Sequence, residues 1–422
     1  MSPADRDARL VIRGGTPLRG IIPAAGSKNG SLYLVAGALL SGDAVTIHNV
    51  PEVADIVEMG RLLEALGATV SIEGGTVTVE AHDLAQTIAP ADLVASTRAS
   101  FLVMGPLLAR LGEAGCAPPG GDAIGVRPLD VHLAGFRALG ADVRKEGPNW
   151  VARSRSLRGA RIFLDYPSVL GTVNVIFAAV LAEGATVIVN AAAEPEVAAA
   201  ADMLNAMGAR ITGHGTAIVT VEGVSRLHGA EVHVIPDRIE AGTYLLAAAA
   251  TRGSVEVAGA RADHLDSLLA KLREAGATVD VASDGVCVTA SNGLRPIQVQ
   301  AVPYPGFATD LHAPMAAALT QANGDSTIHE RVYDNRLLYI NELRAMGADI
   351  TAIGGQSVQI RGPAKLAGTN VRALDIRAGA AVVIGALCAD GETTIHDIAH
   401  IDRGYSRLVE RLRALGADIE RR

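Results

Sequence analysis

The 422-residue chain is 49% hydrophobic but only 3% aromatic, so its core is built mainly from Ala, Val, Leu and Ile, with length for two or three domains. A net charge of -8 gives no electrostatic case for nucleic acid or an anionic membrane, although local arginines can still make a site for a small anion. Cys116, Cys287 and Cys388 are far apart and show no CxxC spacing, which argues against a disulfide framework or a zinc site and fits a reducing cytoplasm.

The opening stretch "MSPADRDARL" carries charge of both signs and no apolar segment, so no signal peptide is expected. The longest apolar runs are too short to span a bilayer, and a soluble globular protein is expected. One pattern then returns along the chain. An amphipathic helix runs into a glycine and a strand in "LLEALGATV" (Gly67), "GFRALGADV" (Gly140), "MLNAMGARI" (Gly208), "KLREAGATV" (Gly276), "ELRAMGADI" (Gly347) and "RLRALGADI" (Gly416). Each glycine reads as a helix C′ cap. Upstream of each, a second glycine (Gly42, Gly112, Gly184, Gly253, Gly324, Gly391) closes an apolar, Ala-rich helix, and five of these lead into a strand-like run. The repeating unit is therefore helix, strand, helix, strand, strand, over about 70 residues. Such a unit cannot bury both its faces alone, so copies pack on one another. Six copies exceed one core and divide into two domains of three.

The start of the first helix in each copy carries Lys28, Arg98, Ser168, Arg238, Asp310 and Arg377, beside capping residues Ser27 or Gly26, Thr97, Ser168, Asp237, Thr309 and Asp375. Free N–H groups and the helix dipole favour anions there, whereas cations oppose the dipole by a few tenths of a kcal/mol each. Two readings stand: exposed first-turn residues, or a polyanion site shared by several helix starts. The second copy is irregular. Its strand "GEAGCAP" runs into "PGGDAIGVRPLDVH" before the next helix begins near Asp130, leaving either a tolerated insertion or a functional loop containing Asp122 and Arg127. Near the end, "HIDRGYSRL" places His400, Asp402, Arg403 and Tyr405 together. There Asp402 is either a helix cap with Arg403 as its ion-pair partner, or Arg403 contacts a phosphate or carboxylate. Walker A, GxGxxG, HExxH and GxSxG patterns are absent.

The stretches "GSKNG", "TRAS", "PGGDAIGVRPLDVH", "EPEV", "DRIEAGTYL", "PGFATD", "DNR", "DIRAGA" and "HIDRGY" resemble the enolpyruvyl transferase family, in its UDP-sugar branch, from about Val11 to Ile419. The resemblance implies a two-domain inside-out α/β barrel of six repeats, with domains at residues 28–235, which hold the active-site loop, and 1–27 plus 236–422. It also implies transfer of the enolpyruvyl group of phosphoenolpyruvate to the 3-hydroxyl of UDP-N-acetylglucosamine, a step of peptidoglycan precursor synthesis in the cytoplasm. Phosphate is released through a tetrahedral intermediate, without metal or organic cofactor.

By matching motifs, Lys28, Arg98, Arg127, Arg377 and Arg403 hold the anions, Asn29 contacts the sugar or the intermediate, Asp310 is the base, and Asp375 assists near Arg377. Arg127, Pro128, Leu129, Asp130 and His132 flank the uridine, with Ser168, Val169 and Val332 nearby. Asp122 falls where most of the family carries a reactive cysteine as proton donor, and it implies insensitivity to fosfomycin. Cys116 is assigned to the preceding strand. "PSVLGT" puts Leu170 where the common "PSVGAT" has glycine, and "NAAAEPE" has lost an arginine at Ala193. These departures leave another uridine nucleotide, such as UMP, as an alternative acceptor.

Overall fold

The computed structural model describes residues 8–121 and 128–422. It is a mixed α/β protein in which the strands among the described residues form six small sheets. The described chain divides into two compact units, residues 8–25 with 236–422 and residues 26–121 with 128–235. Each unit has its own apolar core.

One sheet order recurs. In the second unit, strand Ala230–His233 runs parallel to Val45–His48, which pairs antiparallel with Thr76–Glu80, itself antiparallel to Thr69–Glu73. Arg161–Phe163, Ala185–Val189, Ile218–Glu222 and Arg210–Thr212 follow the same order. So do the three sheets of the first unit, in which Arg19–Pro23, Gln298–Ala301 and Asn370–Arg372 supply the parallel edge. The sixth sheet has three strands, Glu113–Cys116, Asn149–Arg153 and Asp142–Glu146, and a parallel bridge from Ile88 to Gly115 stands in the place of the fourth.

Local chemistry accounts for this. The six glycines that end the amphipathic helices have φ between 91° and 105°, a left-handed turn that side chains resist. Helices Lys28–Gly37, Val169–Ala179, Arg238–Ala250 and Ile376–Cys388 are buried on nearly every side, so their sequences are apolar all round rather than striped. Small residues let them approach closely. A Cβ on Gly37 would lie 2.8 Å from Met203 Cε, closer than any methyl contact. Among the described residues, no helix is long and apolar enough to cross a membrane.

Candidate active site

In the second unit, the first helix start is built by close backbone approach. A Cβ on Gly26 would fall 1.6 Å from the carbonyl oxygen of Asn49, so only glycine permits this turn. Ser27 then caps the helix, its Oγ accepting from Gly30 N at 3.1 Å. The next residue, Lys28, is buried, and its Nζ lies 2.7 Å from Asp55 Oδ2. Asp55 is itself buried in the first turn of helix Ala54–Ala65 and was not marked by any motif. Burying both charges is tolerable because they are paired. Asn29 is half-buried beside this pair.

The next helix starts depart from expectation at Thr97. Its side chain makes no capping bond, because the segment begins as the 3-10 turn Arg98–Val103, and its carbonyl accepts from Ser100 Oγ at 2.6 Å. Half-buried Arg98 reaches the carbonyl of exposed Pro128, Nη2 to O 3.4 Å. Leu129 is half-buried, and Asp130, which opens helix Asp130–Ala138, accepts from Tyr166 OH at 2.9 Å.

His132 lies in the core, 2% exposed, its ring edge-on to Phe101. Asn174 Nδ2 bonds both Phe101 O (2.9 Å) and His132 Nδ1 (3.0 Å), which makes Nδ1 the acceptor and leaves the proton on Nε2. Burial, reinforced by the charge of Arg98, pushes His132 down to about 3. The unfolded imidazole takes up a proton below about pH 6.5 while the folded one does not, so stability is lost as pH falls from 6.5 towards 3. Urea unfolding is expected to give about 2 kcal/mol less stability at pH 5 than at pH 7.5 from this group, and His132→Leu to flatten that slope. An unchanged slope in the variant would remove His132 as the cause.

Ser168 caps helix Val169–Ala179 through Gly171 N at 3.2 Å, and Val169 and Leu170 are half-buried against the unit's core. The departure at Leu170 has a neighbour that explains its partner. A Cβ on Gly171 would lie 2.6 Å from Val131 Cγ1, so this chain needs glycine one position later than the common family stretch. Gly171→Ala is expected to cost about 1–3 kcal/mol in urea unfolding through overpacking. Adding Val131→Ala should return part of that loss as a favourable coupling in a double-mutant cycle.

The first unit holds the second group. Asp310 lies in the 3-10 turn Thr309–Leu311, its Oδ1 2.5 Å from Arg336 Nη2 and its Oδ2 2.9 Å from Arg377 Nη2. Both guanidinium groups are buried, and the carboxylate is a quarter exposed. Burial works against charge on Arg377, yet Asp310, then Tyr405 and Asp237, hold it well above its ordinary value. Arg336 is raised in the same way, against its burial, by Asp310 and Asp375. Both arginines therefore stay charged. Asp375 caps helix Ile376–Cys388, accepting from Arg377 N at 2.7 Å and Ala378 N at 2.8 Å, which fixes the backbone of Arg377.

Tyr405 OH receives from Arg377 Nη1 at 3.3 Å and gives its proton to Thr243 Oγ1 at 3.1 Å, since the Thr243 proton goes to Ile239 O. Thr309, expected as a cap, is not one. It is the first residue of its turn, and its hydroxyl goes to Glu330 Oε2 at 2.8 Å. Half-buried Val332 gives its N–H to Glu330 Oε1 at 2.7 Å. Asp402 ends helix Ala399–Asp402 rather than capping the next one, and Arg421 holds its carboxylate with two bonds of 2.9 Å. Arg403 follows it, half-buried.

Asp122 and Arg127 lie outside the described residues. Cys116 closes strand Glu113–Cys116, fully buried, and burial pushes its thiol up to about 12. Such a thiol neither ionises nor reaches a ligand near neutral pH. Among the described residues, no group of three His, Cys, Asp or Glu side chains is placed to hold a metal ion. Motif reading marked Lys28, Arg98, Asp310, Asp375 and Arg377, but missed their partners Asp55 and Arg336. Arg336 lies in "DNR", a stretch that carries the family resemblance, but its spacing does not show which carboxylate it meets.

The EPSP synthase (3-phosphoshikimate 1-carboxyvinyltransferase) family profile matches residues 12–412. This chain belongs to the enolpyruvyl transferase family. It is 48% identical to UDP-N-acetylglucosamine 1-carboxyvinyltransferase 2 of Carboxydothermus hydrogenoformans, over 98% of this chain and 99% of that one. It is 45% identical to the UDP-N-acetylglucosamine 1-carboxyvinyltransferase of Desulforapulum autotrophicum, with the same coverage. Among solved structures, the enolpyruvyl transferase NikO of Streptomyces tendae superposes with a TM-score of 0.88 at 27% identity, covering 98% of this enolpyruvyl transferase and 99% of NikO. EPSP synthase of Acinetobacter baumannii shares the fold, with a TM-score of 0.75 at 18% identity, covering 99% and 100% of the two chains.

Proposed function

We propose that this enolpyruvyl transferase joins phosphoenolpyruvate to the 3-hydroxyl of UDP-N-acetylglucosamine, releasing phosphate, in the synthesis of peptidoglycan precursor. The observation that carries the reading is 48% identity along nearly the whole of both chains to an enzyme of that name. The recurrence of one sheet order supports six copies of a unit, three in each compact unit, as in an inside-out α/β barrel.

In the addition step, an acid protonates C3 of phosphoenolpyruvate, the sugar oxygen bonds to C2, and a base takes the hydroxyl proton. In the elimination step, C3 loses a proton and the C2–O bond to phosphate breaks. Asp310 is the base, its carboxylate already aimed by two guanidinium groups, and Asp122 is the acid in the place of the family thiol. Lys28, Arg98, Arg127, Arg377 and Arg403 meet the phosphate and carboxylate charges, where fixed cations stabilise charge that develops in the transition state. Asn29 contacts the sugar or intermediate. Pro128, Leu129, Asp130, His132, Ser168, Val169 and Val332 belong to the nucleotide side.

Leu170 and Ala193 favour a second reading, in which the acceptor is another uridine nucleotide such as UMP. Phosphate release measured with phosphoenolpyruvate and each acceptor separates the two. Turnover with UDP-N-acetylglucosamine and little with UMP is expected. The reverse order would transfer the assignment to the second reading.

A further inference from the structure

Glu330 ends strand Gly324–Glu330 with a side chain that is fully buried. Its two oxygens take four donors. Oε2 accepts from Thr309 Oγ1 (2.8 Å) and His312 Nδ1 (2.9 Å), and Oε1 from the backbone N–H of Val332 (2.7 Å) and Tyr333 (3.3 Å). That fills the roughly four acceptor sites of a carboxylate. Burial opposes the ionised form, but His312, Val332 and Thr309 outweigh it and hold Glu330 below the usual carboxylate range. His312, lowered by its own burial in spite of Glu330, is the neutral partner that donates from Nδ1.

The four donors come from two places. Thr309 precedes Asp310 on its own turn and His312 opens the helix that follows it, while Val332 and Tyr333 open the connection that delivers Arg336. Arg336 closes the circuit, its Nη2 reaching both Thr309 O (3.4 Å) and Asp310 Oδ1 (2.5 Å). A well-packed apolar side chain would fill this position without the desolvation cost of a buried carboxylate. The bonds made by Glu330 are spent on the geometry of these two segments.

We infer that Thr309 and Glu330 are positioning residues for the base: the Glu330 carboxylate, acting through the Thr309 hydroxyl, holds the Asp310 carboxylate in register with Arg336 to take the proton of the sugar hydroxyl. The inference rests on the reading of Asp310 as that base. The short turn that bears Asp310 has little regular structure to fix it, and a displacement near 1 Å can cost roughly a hundredfold in rate.

The test uses the full-length enzyme and phosphate release with phosphoenolpyruvate and UDP-N-acetylglucosamine. Thr309→Val keeps the shape and removes the hydroxyl, and Thr309→Ser keeps the hydroxyl. The valine variant is expected to lose about 10- to 100-fold in kcat with KM for the nucleotide within about threefold, and the serine variant to stay within about threefold of wild type in both. Glu330→Gln, close to Glu in volume, is expected to lower kcat and also raise KM for the nucleotide, because the Val332 N–H loses its charged acceptor. Equal turnover in the valine and serine variants beside an active wild type overturns the inference alone. So does an equal loss in both accompanied by a lowered Tm. A wild-type enzyme that releases no phosphate with either UDP-N-acetylglucosamine or UMP overturns the functional reading beneath it, and the inference with it.

Discussion

Asp310→Asn is expected to lower kcat for phosphate release by about 10²–10⁴-fold, the range for loss of a general base. The substitution keeps the size of the side chain and one acceptor oxygen, so binding of UDP-N-acetylglucosamine should change far less than turnover. It has a second consequence that separates this site from an exposed one. Arg336 and Arg377 are buried and both lean on the Asp310 carboxylate at 2.5 and 2.9 Å. Removing that charge leaves two guanidinium groups short of a partner, and loss of one member of a buried pair costs about 3–5 kcal/mol. Because Asp310 is a quarter exposed and Asp375 also supports the charge of Arg336, the lower end of that range is expected. Urea unfolding and steady-state rates on the same preparation check both effects. A variant that retains kcat within about tenfold, whatever its stability, would remove Asp310 from the role of base.

The sequence made some of this plain because some rules are local. A glycine that must adopt positive φ at a helix end announces itself wherever it falls, and all six do so. Ser27, Ser168, Asp237 and Asp375 read correctly as caps because the acceptor and the N–H it satisfies are two or three residues apart. Thr97 and Thr309 read wrongly for opposite reasons. Thr97 stands before a 3-10 turn that does not present its N–H groups to the hydroxyl. Thr309 has a stronger acceptor, a buried carboxylate brought to it from the end of a strand.

The partners of the charged residues were illegible on the same ground. Arg336 is 26 residues from Asp310 and Arg377 is 67 residues away, and nothing in the spacing marks those three as one group. Lys28 and Asp55 likewise meet only when two helix starts fold together. Motifs located the residues that carry charge, whereas tertiary structure decided which charges answer one another.

Asp122→Asn is expected to reduce phosphate release by about 10²–10⁴-fold, and the wild-type enzyme is expected to resist covalent inactivation by fosfomycin. An ordinary aspartic acid, with a pKa near 3.9, is less than about 0.1% protonated at pH 7.5, too little to serve as a proton donor. To act in place of a thiol it must be moved to a site that penalises its charge, as desolvation does to carboxyl groups that work as acids. Turnover through a protonated Asp122 is then expected to decline as pH rises, because the acid must carry its proton. Asp122→Cys should keep turnover and create time-dependent inactivation by the epoxide with the mass of one adduct. Cys116 and Cys388 do not confuse that readout at neutral pH, and peptide mapping separates an adduct at residue 122 from one at half-buried Cys287. Burial pushes both Cys116 and Cys388 up to about 12, which leaves little thiolate to open an epoxide. An asparagine variant within about threefold of wild type would show that the proton comes from another group, and a time-dependent adduct on the wild-type chain between residues 119 and 128 would overturn the expected resistance.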